Sequence, residues 1–223
     1  MLNMNFSEHV IIDSRQMPWQ ASPISGVERK PLAREAAESG HATSIVRYAP
    51  GSQFARHIHP AGEEIFVLEG VFSDETGDYP AGSYIRNPPG SSHAPFSEQG
   101  CTLFVKLAQF AEGDTETVRI DTRTAPWYQG QGRLQVMPLH SFDVEHTALV
   151  KWPKNERFVQ HRHFGGEEIL VLSGTFIDEH GEYPTHSWLR SPHMSEHWPY
   201  VKEETVIFVK TGHLPILEQS FSA

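Results

Sequence analysis

The chain has 223 residues, with 18 Lys and Arg against 28 Asp and Glu for a formal charge of −10, 38% hydrophobic residues and a single cysteine. That composition describes an ordinary globular chain with enough apolar mass for a core, and its acidity disfavours direct contact with a nucleic-acid backbone. No run approaches the ~20 apolar residues of a membrane span, residues 1–10 lack the charged and apolar regions of a leader peptide, and Cys101 alone permits no intrachain disulfide, so a cytoplasmic address is expected.

Taken in order, the chain reads as one short strand after another. Residues 9–19 are answered by residues 117–127, displaced by 108 positions. Residues 32–39 are rich in helix formers, but their counterpart opens Val136-Met137-Pro138-Leu139 and reads as extended, so a strand followed by a loop is expected. Apolar and β-branched runs at 44–48, 64–72, 83–86 and 101–107, separated by Gly, Pro, Asp and Ser, read as strands. The second half repeats them at 148–152, 168–177, 187–190 and 205–210. Residues 74–77 and 178–181 read as hairpin turns, each closing on a glycine free to take a positive φ.

Residues 57–106 align without a gap to 161–210, and 24 of the 50 positions are identical. The chain is therefore read as two homologous domains, 1–110 and 111–223, joined near 111–116. The offset falls from 108 to 104 between the two matched blocks, so the first copy holds four extra residues, placed within 33–40.

The repeat carries a set of metal-binding side chains. His57, His59, Glu63 and His93 recur as His161, His163, Glu167 and His197, all at the 104-residue offset. Imidazole and carboxylate bind divalent transition metals. His57 and His59, two apart on a strand, project from one face about 7 Å apart along the chain. Glu63 in a continued straight strand would lie roughly 20 Å from His57, so the chain must turn back between His59 and Glu63. Pro60-Ala61-Gly62 and Phe164-Gly165-Gly166 each offer a glycine for that turn. His93 arrives from a later strand, behind Asn87-Pro88-Pro89-Gly90. Ligands drawn from three strands need a concave, closed sheet, most simply a small barrel.

Other repeated residues carry structural readings. Arg86 and Arg190 are expected to neutralise a neighbouring carboxylate, and Tyr79 and Tyr183 to pack. Glu64 and Glu168, one residue on from the ligand glutamates, should point away from the metal. Cys101 is read as a small core residue, since Thr205 takes its place in the second copy. His9, His41, His140, His146, His180 and His213 are read as core or surface histidines; so are His186 and His193, although these two could approach the second pocket.

The run Gly51, five residues, His57-x-His59, three residues, Glu63, six residues, Gly70 resembles the first signature of the cupin superfamily. The second signature is partly kept: Pro80-Ala81-Gly82 fits, but Ile85 stands where a histidine is usual, and the histidine comes later, at His93. This delayed histidine is similar to that of the cupin-like domain of ChrR-type anti-sigma factors, and the resemblance covers nearly the whole chain, once per half. It implies an all-β fold of two tandem cupin domains, each a jelly-roll β-barrel. It also implies metal-ligand roles for His57, His59, Glu63 and His93, and through the repeat for His161, His163, Glu167 and His197. The second half departs in placing Asn155, His186, His193 and Met194 where the first has Gly51, Gly82, Pro89 and Gly90.

Three histidines and a glutamate leave two positions of an octahedral ion open, which suits Fe, Mn, Ni or Zn, two ions per chain. The resemblance implies a metal-binding regulator that responds to a small molecule or oxidative stress, with a sigma factor as its partner. The sigma-binding zinc domain of such proteins carries an H-x-x-x-C-x-x-C motif, which does not occur in this sequence. The alternative is an Fe(II)-dependent dioxygenase acting on a small carbonyl or aromatic compound. A third reading is a non-catalytic metal or ligand store. A monomer and a homodimer both fit.

Overall fold

The computed structural model describes residues 1–216. Nearly all of its regular structure is β-strand, and the three-residue turn Ser14–Gln16 is the one helical element among the described residues. The chain divides into two compact units: Met1–Met4 with Gln16–Pro126, and Asn5–Arg15 with the chain from Trp127 onward. The spatial units and the sequence division at 110/111 thus differ by an exchange of two segments.

In the first unit an antiparallel sheet runs in the order Val118–Asp121, Ser83–Asn87, Glu63–Asp74, Cys101–Leu107, Ala42–Tyr48, Val27–Arg34 and Gln20–Ala21. A second layer is built from short strands, His57–His59 with Ser91–His93, and Ser52–Gln53 with Phe96–Ser97. The other unit repeats the plan, with Val10–Asp13, Ser187–Ser191, Glu167–Ser173, Thr205–Thr211, Glu145–Trp152, Gln135–Phe142 and Tyr128–Gln129 in order. The repeated block that precedes each copy is exchanged. Val10–Asp13 pairs with Ser187–Ser191 of the second copy, and Val118–Asp121 with Ser83–Asn87 of the first.

Period-two alternation explains both faces of the sheets. Ile65, Val67, Ile85, Leu103 and Val105 form one buried cluster with Tyr48 and Phe72 inside the first barrel. Ile169, Val171, Leu189, Ile207, Trp152 and Phe176 do the same in the second. Each such side chain stabilises the fold by about 1.5–3 kcal/mol on full burial. Cys101 is a member of the first cluster, as expected.

The observed strands contain the expected ones, with one break. The expected strand at 168–177 is split into Glu167–Ser173 and Thr175–Asp178, because Gly174 takes φ 74° and its Cα faces the Glu204 carbonyl. Residues 32–39 are indeed the end of a strand, Val27–Arg34, followed by a loop. The hairpin at 74–77 is also as expected, but the turn at 178–181 differs in one respect: Gly181 does not take a positive φ. There the Asp178 carboxylate accepts the N–H groups of His180 and Gly181 and so closes the turn itself.

Candidate metal centres

Strand His57–His59 pairs antiparallel with Ser91–His93, and His93 is the cross-strand partner of His57. Alternation sends His57 and His59 to one face and Ile58, 64% exposed, to the other. Gly62, at φ 80°, donates its N–H to the His59 carbonyl at 3.2 Å and reverses the chain. Glu63 therefore opens the next strand beside the rings. Gly90, at φ 83°, likewise donates to the His59 carbonyl at 2.9 Å and sets the return of His93.

The donor atoms converge. His59 Nε2 lies 2.9 Å from His93 Nε2, and Glu63 Oε2 stands 3.4 and 3.5 Å from these nitrogens. One ligand atom from each of His57, His59 and His93 fits within 4.8 Å of the others. Atoms bound at about 2.1 Å to one cation at right angles stand about 3.0 Å apart, and about 3.4 Å apart at tetrahedral angles. The spacings among His59, His93 and Glu63 match those edges. Two imidazole nitrogens at 2.9 Å repel unless a proton or a cation lies between them.

The second unit repeats this geometry. His161 is the cross-strand partner of His197, and His197 Nε2 is 3.0 Å from His163 Nε2 and 3.2 Å from His161 Nε2. Glu167 Oε2 lies 3.5 Å from His163 and 3.6 Å from His197. The departures in this copy leave the backbone unchanged in kind. Asn155, His186 and Met194 take φ 61°, 70° and 61°, where Gly51, Gly82 and Gly90 have 77°, 87° and 83°. Met194 N–H reaches the His163 carbonyl at 2.8 Å, as Gly90 reaches that of His59.

Outer partners orient the rings. His57 Nδ1–H donates to the Ala55 carbonyl at 3.0 Å and His161 Nδ1–H to that of Val159 at 2.9 Å, which leaves each Nε2 bare towards the cluster. His93 Nδ1 faces Asp74 Oδ2 at 3.3 Å, and His197 Nδ1 is 3.8 Å from Asp178 Oδ2. Asp74 is in turn held by the Thr76 hydroxyl, and Asp178 by the Tyr183 hydroxyl at 2.7 Å. The sequence places both aspartates in hairpin turns only; their identity in the two copies is the signal that would single them out behind His93 and His197.

Electrostatics favour bare imidazole nitrogens at His59, His161 and His163. Burial, with the neighbouring imidazoles adding, holds His59 low and pushes His163 down to about 3. Burial also lowers His161 and raises Glu167 to about 7. At His197 the effect of burial is outweighed by Asp178 and Glu167, which raise it. At Asp74 burial is outweighed by hydrogen bonds from His93 and Thr76, which bring it to about 2. Uncharged imidazole is the form that ligates a metal.

Three histidines thus come together in each unit, with Glu63 beside His59 and His93 and Glu167 beside His163 and His197. No other histidine joins either cluster among the described residues. His193 accepts the Gly165 N–H at 2.9 Å and His186 lies at the corner where its carbonyl meets Ser14. Arg86 is fully buried and donates to Asp114 Oδ2 at 2.7 Å, and Glu64 accepts from Tyr84 at 2.6 Å, away from the cluster. Tyr183 packs on Phe176.

A cavity of about 850 Å³ adjoins the first cluster, with His57, His59 and Glu63 in its wall and Val46, Tyr48 and Leu103 among its apolar lining. A cavity of about 420 Å³ in the second unit lies against Arg133, Lys151 and Glu204 and touches none of the cluster residues.

The family model of the ChrR cupin-like domain matches residues 7–111 and again 115–215. No curated protein matches the sequence. Among solved structures, a candidate dioxygenase from Nostoc punctiforme superposes with TM-score 0.78 at 16% identity, over 92% of this chain and 82% of that one. A glyoxylate-induced protein from Pseudomonas aeruginosa, so described provisionally, gives 0.74 at 12% identity, over 99% and 94%. The nickel(II) complex of the Escherichia coli pirin YhhW gives 0.66 at 12%, over 94% and 100%. These likenesses establish the fold. The described residues contain no helix long and apolar enough to cross a membrane.

Proposed function

Because the chain belongs to the ChrR cupin-like domain family in both halves, we propose that it is a metal-binding bicupin with a small-molecule site in its first half, acting as a ligand-responsive regulator. The observation that carries this reading is the convergence of His57, His59, Glu63 and His93 beside a cavity large enough for a small molecule. We assign these four, and His161, His163, Glu167 and His197, as the ligands of one divalent transition metal each. The donor set of nitrogen and oxygen suits Fe, Mn, Ni or Zn. A metal so held supplies a Lewis-acid or redox centre with open positions. The protein's own part is to aim the Nε2 atoms, hold the carboxylate and keep an apolar wall around the site.

A second reading is favoured by the same cavity: an Fe(II)-dependent dioxygenase acting on a small carbonyl or aromatic compound. Metal analysis of protein purified without air, followed by oxygen uptake with a panel of diketones and aromatic ketones, separates the two. Tightly held metal without uptake in any assay supports the regulator, and co-purification of a sigma factor would identify its partner. Iron with substrate-dependent uptake supports the oxygenase.

A further inference from the structure

The first barrel carries charge where the second does not. In strand Val27–Arg34, Arg29 pairs with Val46, and side chains two apart share a face, so Arg29 projects to the inner side with Val27, which lies in the core cluster. Arg34 pairs with Ala42, and both arginines line the 850 Å³ cavity. Their side chains are only 19% and 16% exposed. In the second unit the residue facing Val150, the repeat of Val46, is Val136, and the residue facing His146, the repeat of Ala42, is Ser141. The guanidinium pair therefore belongs to the first barrel alone.

What occupies the pair is a carboxylate of this chain. Glu38 accepts two hydrogen bonds from Arg29, at 2.5 and 3.2 Å, and its Oε2 is 3.7 Å from Arg34. Glu38 stands in the 33–40 segment where the first copy carries its extra residues, and its side chain is 54% exposed. One exposed carboxylate between two guanidinium groups leaves a positive charge over and is weakly held. Val46, Tyr48, Phe54 and Leu103 give the wall an apolar stretch, beside Ser44, Arg56 and the cluster residues His57, His59 and Glu63.

We propose that the first barrel binds a small molecule with an apolar body and a carboxylate head, the head displacing Glu38 from Arg29 and Arg34 and the body lying along the apolar wall. This names the ligand class of the site and rests on the reading of the first half as the small-molecule site. Glu38 is the built-in stand-in for the ligand's head group, and a flat carboxylate matches the guanidinium fork.

The test is calorimetric titration of the full chain, metal-loaded and metal-stripped, with octanoate and octan-1-ol, and with 4-phenylbutyrate and 4-phenylbutan-1-ol. At least one acid is expected to bind about tenfold or more tighter than its alcohol. Arg29→Met should abolish that preference. Glu38→Gln, at an exposed position that leaves the fold intact, should tighten acid binding several-fold and leave the alcohol unchanged. Equal binding of acid and alcohol, no saturable binding of either acid, or no effect of Glu38→Gln would overturn the proposal. So would a preference that survives Arg29→Met, since the head would then sit elsewhere. The metal-stripped arm separates the failures: loss of acid preference with two metals bound sinks this proposal only, and a preference kept in a chain that never binds metal sinks the metal assignment only.

Discussion

The imidazoles meet because of local devices that act one residue at a time. Alternation aligns His57 with His59, Gly62 reverses the chain, and a carbonyl fixes the His57 tautomer. Asp74 extends this outward, since its Oδ2 faces His93 Nδ1 at 3.3 Å. We expect Asp74→Asn to weaken metal binding at the first centre by about 10–100-fold with the fold retained. A competition titration against a chromophoric chelator measures it, and unchanged affinity would make Asp74 a turn residue only. Cys101 offers a test of burial: its thiol is pushed up to about 11 by desolvation, against a weaker opposing hydrogen bond from Ser97. Its thiolate is scarce below that pH, so alkylation at pH 8 should be slow in the native chain and fast in denaturant. Rapid native labelling would show the residue accessible. The eight candidate donors were legible in the sequence because chemistry restricts ligands to few residue types and the duplication repeats their spacing. Asp74 and Asp178 were not, because aspartate in a hairpin is common for reasons of turn geometry alone.

At the scale of the strand, tight crossings depend on glycine. Gly70, at φ 71°, lies against the Gly100 carbonyl and the Cys101 Cα, where strand Cys101–Leu107 shifts register against Glu63–Asp74. A Cβ at this position would overlap backbone as well as pay the left-handed penalty of about 1–2 kcal/mol. Gly70→Ala should therefore destabilise the chain by more than that, and Gly174→Ala similarly, since a Cβ there would meet the Glu204 carbonyl. Urea unfolding measures both; a loss under about 0.5 kcal/mol would contradict the account. Strand positions were legible from alternation, but the break at Gly174 was not, because the obstructing carbonyl comes from a distant part of the chain. Nor did the sequence indicate that Asn155, His186 and Met194 would keep a backbone conformation that glycine usually takes.

For the molecule as a whole, the repeat disclosed two copies, and the exchange of flanking strands stayed hidden. Sequence similarity orders the blocks; it does not say which sheet a block joins. The consequence is testable. A fragment of residues 1–110 lacks Val118–Asp121, the edge partner of Ser83–Asn87, and Asp114, the acceptor for Arg86. Breaking a fully buried ion pair costs about 3–5 kcal/mol, and the bared strand invites aggregation. By size-exclusion chromatography and circular dichroism we expect 1–110 to aggregate or unfold and 16–126 to be the better folded of the two. A monomeric, cooperatively folding 1–110 would contradict this. The asymmetry of the two barrels was likewise visible only as four extra residues, because the neighbours of Arg29 and Arg34 come from strand pairing. The central claim, that each unit closes three imidazoles and a carboxylate on one cation, is tested most directly by metal content per chain. Protein purified without air should hold two divalent transition metal ions, falling to one in His59→Ala, to one in His163→Ala and to none in the double variant. A native chain without metal, or a stoichiometry that the substitutions leave unchanged, would contradict it.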